Sequence, residues 1–474
     1  MTDEDRASAT RTGPALPTIA AMIGAASIMG VQLLVPPVVG LANNGDFESV
    51  MGPVGFRYLI DDRAEKYFSW IVTRFAYGEP GWHRTGLITS ETLLAWLARR
   101  ISEPFLAYFD LRVLGAIHAA LLVAGLGLLV SAAARLGRPA QWVAALALVF
   151  FFTDVGYVAP LNSFFSQAAS LVFLVLTLGV ASRSIALGRR DLRHAAAFFL
   201  LAVLFTTSKP QEAIQALPLA IFGARLYGQP HRPVVRQTAA WAAASLVGLS
   251  IAYLRTTPPA ITEVARYHKV FMELLPNSPA PERDLQDLGL DPSWVTATGK
   301  IAYRPGPFSD PAFRAEFLSR FSYAGLVRFY LTHPDRLAST LTRGGQQALR
   351  LRHPRFGNLE HRPGVAPGAK ARAFSLWSDA RLRLPGNPLL WLTPLLVANV
   401  VVPLATRSRA SSDGRLARDG IVLLAVMATT AFLVCVLSNA HGDLPRHFYV
   451  FQALCDLLLA ADLAWIALAL TRLR

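Results

Sequence analysis

Long apolar runs recur along this chain of 474 residues, separated by shorter polar segments. A helix of about 20 such residues crosses a hydrocarbon core of roughly 30 Å. Because lipid offers the backbone no hydrogen-bond partner, we expect each run to be helical. The predicted spans are 18–41, 109–132, 140–153, 164–182, 194–207, 211–227, 237–254, 387–405, 420–439 and 447–470. The pattern therefore predicts an all-α polytopic membrane protein with about ten transmembrane helices.

Three of these predicted spans are short or interrupted. The run 140–153 leads into Asp154, and the runs 194–207 and 211–227 flank Ser208-Lys209-Pro210. Each is either a full helix with a polar tip or a partly re-entrant helix. A count of ten is favoured, and eight and eleven remain alternatives.

Arginine is concentrated in the short connections that ten spans would place on one face. These connections and the C-terminal tail contain Arg135, Arg138, Arg183, Arg189, Arg190, Arg193, Arg225, Arg232, Arg236, Arg407, Arg409, Arg415, Arg418, Arg472 and Arg474. The positive-inside rule assigns that face, and with it both termini, to the cytoplasm. The long segments 43–108 and 255–386 are then outer loops, and long loops translocate largely regardless of charge.

The alternation of apolar runs and loops predicts four regions. They are a cytoplasmic tail (1–17), an N-terminal transmembrane module (18–254) with the first outer loop 43–108, a large basic outer loop or cap (255–386), and C-terminal helices (387–474). Gly40-Leu41-Ala42 resembles a signal-peptide cleavage site, but the run before it is longer than a usual h-region. A retained first helix is therefore favoured over a cleaved signal peptide.

The composition agrees with the prediction of a membrane protein and indicates which partners are expected. Hydrophobic residues make up 53% of the chain and charged residues 16%, against about 25% charged in typical soluble domains. Both cysteines, Cys435 and Cys455, lie in predicted helices, so a disulfide framework is not expected. Much of the net charge of +15 is the arginine of the cytoplasmic face. It suits membrane lipids, and nucleic acid is not an expected partner.

Polar residues cluster at the predicted outer ends of the helices, where burying polar groups near lipid is costly and tends to mark function. The candidates are Asn43, Asn44 and Asp46; Asp154, Tyr157, Asn162 and Gln167; Lys209 and Gln211; and Asn439, His441, Asp443, Arg446 and His447. All four clusters fall on the same face under the predicted topology. This convergence makes the outer face the candidate site.

Each cluster has a structural alternative. Asp46 is either a partly desolvated general base or part of an ordinary Asn-Gly-Asp turn. The polar groups from Asp154 to Gln167 suit sugar hydroxyls, or they cap two helices. Lys209 is either a phosphate anchor or an interfacial lysine. Arg446 and its neighbours are either a phosphate clamp or a polar loop.

Two further features stay open on the sequence. His118, Asp456 and Asp462 lie inside predicted helices, where two of them could pair across the bundle or serve a proton-coupled transporter. The loop 255–386 shows helical periodicity over 310–350 and reads as irregular over 351–370. It is either a plain cap or a basic lid that faces phosphate-bearing lipid or an acidic glycan.

The arrangement resembles the GT-C superfamily of polytopic glycosyltransferases, in particular bacterial glycan-biosynthesis hexose transferases. The residues that carry the resemblance are Asn-Asn-Gly-Asp-Phe (43–47), the stretch 154–167 and Ser-Lys-Pro-Gln (208–211). It extends from the first helix to about residue 255 and over 441–448, and it does not reach the loop 255–386. It implies a polyprenyl-phosphate sugar as donor, a glycan or glycolipid as acceptor, and the outer face of the bacterial inner membrane as location.

The resemblance also implies residue roles. Asp46 would be the essential carboxylate that accepts the proton of the acceptor hydroxyl, giving inversion, and Lys209 and Arg446 would hold the donor phosphate. Gln167 stands where relatives often have Glu, and is therefore expected to bind rather than donate a proton. Asp46-Phe47-Glu48 lacks the adjacent acidic pair that is frequent in the superfamily. No cofactor is implied, and the need for a divalent metal stays open.

Two other functions compete with hexose transfer. A polymerase or ligase of lipid-linked oligosaccharide would use the same outer face and consume a polyprenyl diphosphate. A transporter or flippase would show an internal repeat and broken helices at the midplane, and no such repeat is visible between the halves.

Overall fold

The computed structural model describes residues 15–81, 86–228, 232–439 and 444–473. The proposed site residue Asp443 and its neighbour His441 lie outside this part of the chain. Within it the chain is mostly helical, as the apolar pattern predicts. One large hydrophobic core joins the membrane helices to the first outer segment, and a second core lies in the cap.

The N-terminal part consists of one long helix followed by short elements. These are α1 (Leu16–Leu34), α2 (Glu48–Val54), β1 (Phe56–Tyr58), α3 (Arg63–Lys66), β2 (Arg74–Tyr77), α4 (Ser90–Ser102) and β3 (Phe109–Asp110). The first helix ends at Leu34 rather than at residue 41, because Pro36 and Pro37 cannot continue it. The segment 35–43 therefore leads to the polar turn without helical structure.

The three strands form an antiparallel sheet in the order β1-β2-β3, so the expectation of an all-α chain does not hold here. Phe56 pairs with Tyr77, and Tyr58 with Phe75. Phe56 and Phe75 are buried on one face of the sheet. Strands of two to four residues leave too short an alternation to stand out in the sequence.

The helices of the N-terminal membrane module follow. They are α5 (Leu111–Ala133), α6 (Arg138–Phe152), α7 (Val155–Val158), α8 (Gln167–Leu187), α9 (Leu192–Thr206), α10 (Ala216–Tyr227) and α11 (Pro233–Arg255). Short 3-10 turns occupy Ala134–Leu136, Ala159–Leu161 and Pro210–Gln215.

The cap has its own helices and hydrophobic core. Its helices are α12 (Pro259–His268), α13 (Pro281–Asp287), α14 (Pro311–Arg320), α15 (Tyr323–Thr332), α16 (Pro334–Ala348) and α17 (Leu376–Leu382), with a π-helical turn at Lys269–Leu274 and 3-10 turns at Leu275–Asn277, Pro292–Ala297 and Pro307–Ser309. Phe317, Leu326 and Phe329 are buried in this core, so the periodicity predicted over 310–350 is confirmed. Residues 351–370 have no helix.

The C-terminal region returns to the membrane module. Its helices are α18 (Leu389–Thr406), α19 (Ser412–Ser438), α20 (Leu444–His447) and α21 (Tyr449–Arg472), with a 3-10 turn at Arg407–Arg409.

Among the described residues, seven helices are long and apolar enough to cross a membrane. They are Leu16–Leu34, Leu111–Leu136, Gln167–Leu187, Pro233–Arg255, Leu389–Arg409, Ser412–Ser438 and Tyr449–Arg472. An eighth span is formed if Arg138–Phe152 and Val155–Leu161, which meet at a bend of 63°, count as one. Each of the ten predicted spans contains a helix, but α9 and α10 are shorter than this criterion requires. The count of ten stays a prediction.

Ion pairs connect the predicted cytoplasmic connections at one end of the bundle. Asp413, just inside α19, pairs with Arg190 and lies 3.1 Å from Arg135 Nη1. Arg225 Nε lies 2.9 Å from Asp419 Oδ2. Connections that are far apart in sequence therefore meet at one end, as the predicted orientation requires. The assignment of that end to the cytoplasm stays a prediction.

Two buried contacts between polar side chains connect outer segments to membrane helices. His118 Nε2 of α5 lies 3.3 Å from Glu91 Oε2 of α4. Arg381 Nη1 of α17 lies 3.0 Å from Asp456 Oδ2 of α21, and both side chains are almost fully buried. His118 and Asp456 thus pair with outer segments and not with each other.

Helix α4 is amphipathic. Leu94, Ala95 and Ala98 are buried against the rest of the protein, whereas Leu93 and Trp96 are 53% and 49% exposed. Beside a bundle of membrane helices, an exposed apolar face on a helix is typical of a segment that lies along the bilayer interface.

Candidate functional site

The polar turn after α1 is organised by its two asparagines. The Oδ1 atom of buried Asn43 accepts hydrogen bonds from the backbone N–H of Gly45 (2.8 Å) and Phe47 (3.1 Å). Asn44 Oδ1 accepts from the N–H of Asp46 at 3.1 Å. The Asp46 side chain stays 51% exposed. The asparagines therefore have the turn role, and they present the carboxylate of Asp46 at the surface.

Asp46 meets the polar cluster that precedes the last helix. Arg446 Nη1 in α20 donates to Asp46 Oδ2 at 2.5 Å. The Arg446 side chain is only 9% exposed, and its guanidinium lies 4.8 Å from the ring centre of Phe165. Gln167 Nε2 donates to the backbone carbonyl of Arg446 at 3.3 Å. Three of the four predicted clusters thus converge around one arginine.

A second carboxylate, Glu48, lies two residues beyond Asp46 at the start of α2. Tyr67 Oη donates to Glu48 Oε1 at 2.8 Å, and Asn43 Nδ2 lies 3.3 Å from each Glu48 oxygen. Asn43 Nδ2 also donates to Tyr58 Oη at 2.6 Å. Burial, with the adjacent Glu48, raises the pKa of Tyr67 to about 12, so this phenol stays a hydrogen-bond donor. Glu48 is therefore held in a fixed position beside Asp46.

Lys209 and Gln211 join the same end of the protein through His447. His447 Nδ1 lies 3.0 Å from Lys209 Nζ and 2.7 Å from Gln211 Oε1. Gln211 Nε2 donates to the backbone carbonyl of His447 at 2.9 Å and to Glu212 Oε1 at 2.7 Å. These contacts fix α20, the helix that also carries Arg446.

The cluster between α6 and α8 is buried in hydrogen bonds inside the protein. Asp154 Oδ2 accepts from the backbone N–H of Ser378 at 2.9 Å, and Tyr157 Oη donates to Asp456 Oδ2 at 2.6 Å. Asn162 Nδ2 donates to two backbone carbonyls near the end of α1, at 2.9 and 2.8 Å. These three side chains hold the outer end together, and we do not assign them to sugar binding. Gln167 is the polar side chain of this cluster that reaches the pocket described next.

A pocket opens between the membrane module and the cap. Its polar lining includes Gln167 and Arg446 from the membrane module, with Arg352, His353 and Lys370 from the cap. None of the described residues that line it is acidic. The pocket is therefore cationic and adjoins Asp46 through Arg446.

The irregular segment 351–370 brings the cap residues to this pocket. Leu359 forms an antiparallel bridge with Val39, and Gly40 N donates to the backbone carbonyl of Asn358 at 3.1 Å. Lys370 Nζ donates to the backbone carbonyl of His353 at 2.7 Å. The segment is thus attached to the chain that joins α1 to the Asp46 turn.

Positive charge is concentrated at Lys370. Burial and the neighbouring guanidinium groups of Arg352 and Arg350 lower the pKa of Lys370 to about 8. Asp379 offsets the positive charge of Arg352 only in part, because its Oδ1 atom lies as far as 3.4 Å from Arg352 Nη1.

A family model described as the YfdI N-terminal transmembrane domain matches residues 5–474. The chain belongs to this family. It is accordingly a multi-pass membrane protein, which agrees with its seven long apolar helices in the described part of the chain. No curated protein matches the chain.

In this YfdI-family chain, sequence reasoning missed the contribution of the cap. The sequence of the loop 255–386 indicates only that it is basic and partly irregular, and this loop contains Arg352, His353 and Lys370. The GT-C resemblance ends near residue 255 and therefore gives these residues no role. Glu48 was visible as an acid near Asp46, but its hydrogen-bond partner Tyr67 was not. Within the described residues, no group of three or more His, Cys, Asp or Glu side chains is placed to hold a metal ion.

Proposed function

We propose that this membrane protein is a glycosyltransferase that moves a hexose from a polyprenyl-phosphate donor to a glycan or glycolipid at the outer face. The observation that carries the proposal is the contact between Asp46 and Arg446 at the edge of the cationic pocket. An exposed carboxylate beside a cluster of cations supplies the two groups that such a transfer requires. The GT-C resemblance of residues 43–47 supports the same role for Asp46.

The proposed reaction is a single inverting displacement. The acceptor hydroxyl oxygen forms a bond to the anomeric carbon as the bond from that carbon to the phosphate oxygen breaks. Asp46 takes the hydroxyl proton as general base, a contribution of about 10²–10⁴ in rate. The phosphate leaves with the bonding electron pair, and Arg446 stabilises its charge.

The neighbouring side chains would position these two groups. Gln167 holds the backbone of Arg446, and the contacts of Lys209 and Gln211 with His447 fix the short helix α20. Lys209 does not line the pocket, so we assign it to positioning rather than to phosphate binding.

The proposed location is the outer face of the bacterial inner membrane, with both termini in the cytoplasm. A nucleotide sugar is cytoplasmic, so a reaction on the outer face calls for a lipid-borne donor. The convergence of the polar clusters at the end opposite the Asp413 and Asp419 ion pairs supports this arrangement.

A ligase or polymerase that consumes a polyprenyl diphosphate is the second candidate. The observation that favours it is the presence of Arg352 and Lys370, which come from the large outer loop and add positive charge to the pocket. A transporter is less supported, because Asp456 is bound to Arg381, and Asp462 Oδ2 accepts from Asn399 Nδ2 at 2.9 Å.

The test is mass spectrometry of lipid-linked and surface glycans in the source bacterium. Wild-type, deletion, and deletion strains complemented with Asp46→Asn or Asp61→Asn at equal expression would be compared. Asp61 is a fully exposed carboxylate of the same outer loop and serves as the matched control. We expect deletion to remove one hexose from a glycan, Asp61→Asn to restore it, and Asp46→Asn to fail.

Other results would contradict the proposal. Full restoration by Asp46→Asn would mean that Asp46 is only a turn residue. An unchanged glycan profile after deletion would exclude transferase activity under those conditions and favour transport. Accumulation of a diphosphate-linked oligosaccharide, rather than a monophosphate-linked hexose, would favour the ligase or polymerase.

A further inference from the structure

The cationic pocket is formed by two parts of the chain that are far apart in sequence. Arg352 and Lys370 come from the cap and Arg446 from α20, and all three line the same cavity. Three cations around one small cavity repel one another, and the lining that the structure describes contains no carboxylate. Two carboxylates outside the lining offset part of this charge, since Arg446 pairs with Asp46 and Arg352 with Asp379. An anionic ligand would supply the missing charge.

Contacts with the protein leave positive charge for such a ligand. Lys370 Nζ donates to the backbone carbonyls of His353 and Pro354 at 2.7 and 2.9 Å, and these acceptors are uncharged. Arg352 Nη2 donates to the backbone carbonyl of Ala371 at 2.8 Å. The carbonyls fix the two side chains in place without neutralising them, and Asp379 Oδ1, 3.4 Å from Arg352 Nη1, offsets only part of the charge of Arg352.

Arg446 links this pocket to the carboxylate of Asp46. Its Nη1 atom is committed to Asp46 at 2.5 Å, while its side chain also lines the pocket. An anion that enters the pocket and binds this guanidinium meets the negative charge of Asp46 on the other side. Ligand and Asp46 therefore compete for one arginine.

We propose that the pocket binds a phosphate group through Arg352, Lys370 and Arg446, and that the bound phosphate competes with Asp46 for Arg446. The proposal rests on the proposed function in one respect, since the phosphate would be that of the donor lipid. Its consequence is an order of events. The donor phosphate draws Arg446 away from Asp46, and the carboxylate becomes free to accept a proton only when the donor is in place.

Binding to the purified full chain in detergent tests the proposal without turnover. The probe is farnesyl phosphate, measured by isothermal titration calorimetry, with inorganic phosphate as competitor. Arg352→Gln and Lys370→Gln should each weaken binding by about tenfold, the usual size of a lost charge-assisted contact. The matched control is Lys300→Gln, an exposed cap cation outside the pocket, which should bind like the wild type.

The Asp46→Asn variant is the decisive test, because competition predicts that this variant has a higher affinity for farnesyl phosphate. Removing the competing carboxylate should tighten farnesyl phosphate binding by about three- to tenfold, a result that misfolding cannot produce. Weaker binding by Asp46→Asn, or unchanged binding by both pocket variants, would overturn the proposal. Loss of glycan transfer with Asp46→Asn tests the proposed function separately, so either claim can fail alone.

Two further ligands identify the source of the phosphate. Competition by inorganic phosphate shows that the phosphate group itself is bound. If phosphatidylglycerol in mixed micelles competes with farnesyl phosphate for the pocket, the site accepts any lipid phosphate. If it does not, the site selects an isoprenoid phosphate. Failure of inorganic phosphate to compete even at a large excess would contradict a phosphate site.

Discussion

Replacing Arg381 with glutamine would leave the Asp456 carboxylate buried in α21 without its cationic partner. Arg381 Nη1 lies 3.1 and 3.0 Å from the two Asp456 oxygens, and the side chains are 4% and 1% exposed. Tyr157 and Trp377 donate to the same carboxylate at 2.6 and 2.9 Å. After the substitution, two neutral donors would remain around a buried negative charge.

The size of the effect follows from this burial. Removing one partner of a buried ion pair costs about 3–5 kcal/mol, because the other charge stays desolvated. Asp456→Asn should cost a similar amount for the same reason. The double variant Arg381→Gln/Asp456→Asn leaves no buried charge, so it should be more stable than either single variant. Arg383→Gln, two residues along and exposed, should change the free energy of unfolding by less than about 0.5 kcal/mol.

Thermal unfolding followed by fluorescence-detected size-exclusion chromatography measures these differences. A cost of about 3–5 kcal/mol corresponds to a fall in Tm of roughly 3–5 °C for a chain of this size. A double variant less stable than both single variants would refute the charge-pair reasoning. So would a single variant Arg381→Gln that melts together with the Arg383→Gln control.

Two further predictions concern the site and its support. Lys370, with its pKa lowered to about 8 by burial and two neighbouring arginines, loses its charge as the pH rises from 7 to 9. A phosphate monoester is already mostly dianionic above pH 7, so farnesyl phosphate affinity should fall by about three- to tenfold over this range. Lys370→Arg should abolish the fall, and an equal fall in both proteins would contradict the role of Lys370. Asn162→Ala removes two buried amide hydrogen bonds and should lower the free energy of unfolding by about 2–3 kcal/mol in thermal melts. Asn44→Ala, at a partly exposed turn residue, should have a smaller effect, and equal effects would count against this assignment.

The positions of the helices were largely predictable from the sequence. Apolar runs of about 18 residues or more, which make up most of the predicted spans, have few stable alternatives to a helix in lipid. The shorter runs are also helical, so each predicted span contains a helix. The largest differences lie at two helix ends. Pro36 and Pro37 stop the first helix seven residues early, and α19 begins eight residues before the predicted span, at Ser412. Short strands were not predictable, because pairing between β1 and β2 depends on a buried aromatic cluster formed by distant residues.

The sequence predicted at which end of the helices the site lies, but not which side chains contact one another there. The arginine-rich connections and the even number of predicted spans placed Asp46 and Arg446 at the same end, although they are 400 residues apart. Their direct contact depends on how α20 packs, which no local pattern encodes. The roles of Arg352 and Lys370 depend on the irregular segment 351–370. A segment without periodicity gives no indication of the surface on which it folds.

The exposed apolar face of α4 makes the lipid surface part of the scaffold. Arg99 Nη1 of α4 donates to the carbonyl of Val54 at 2.6 Å, and so attaches α4 to the end of α2, the helix that follows Asp46. If Leu93 and Trp96 set the depth of α4 in the headgroup layer, headgroup packing and lateral pressure set the height of Asp46 above the membrane. The geometry of the proposed site would then depend on bilayer composition.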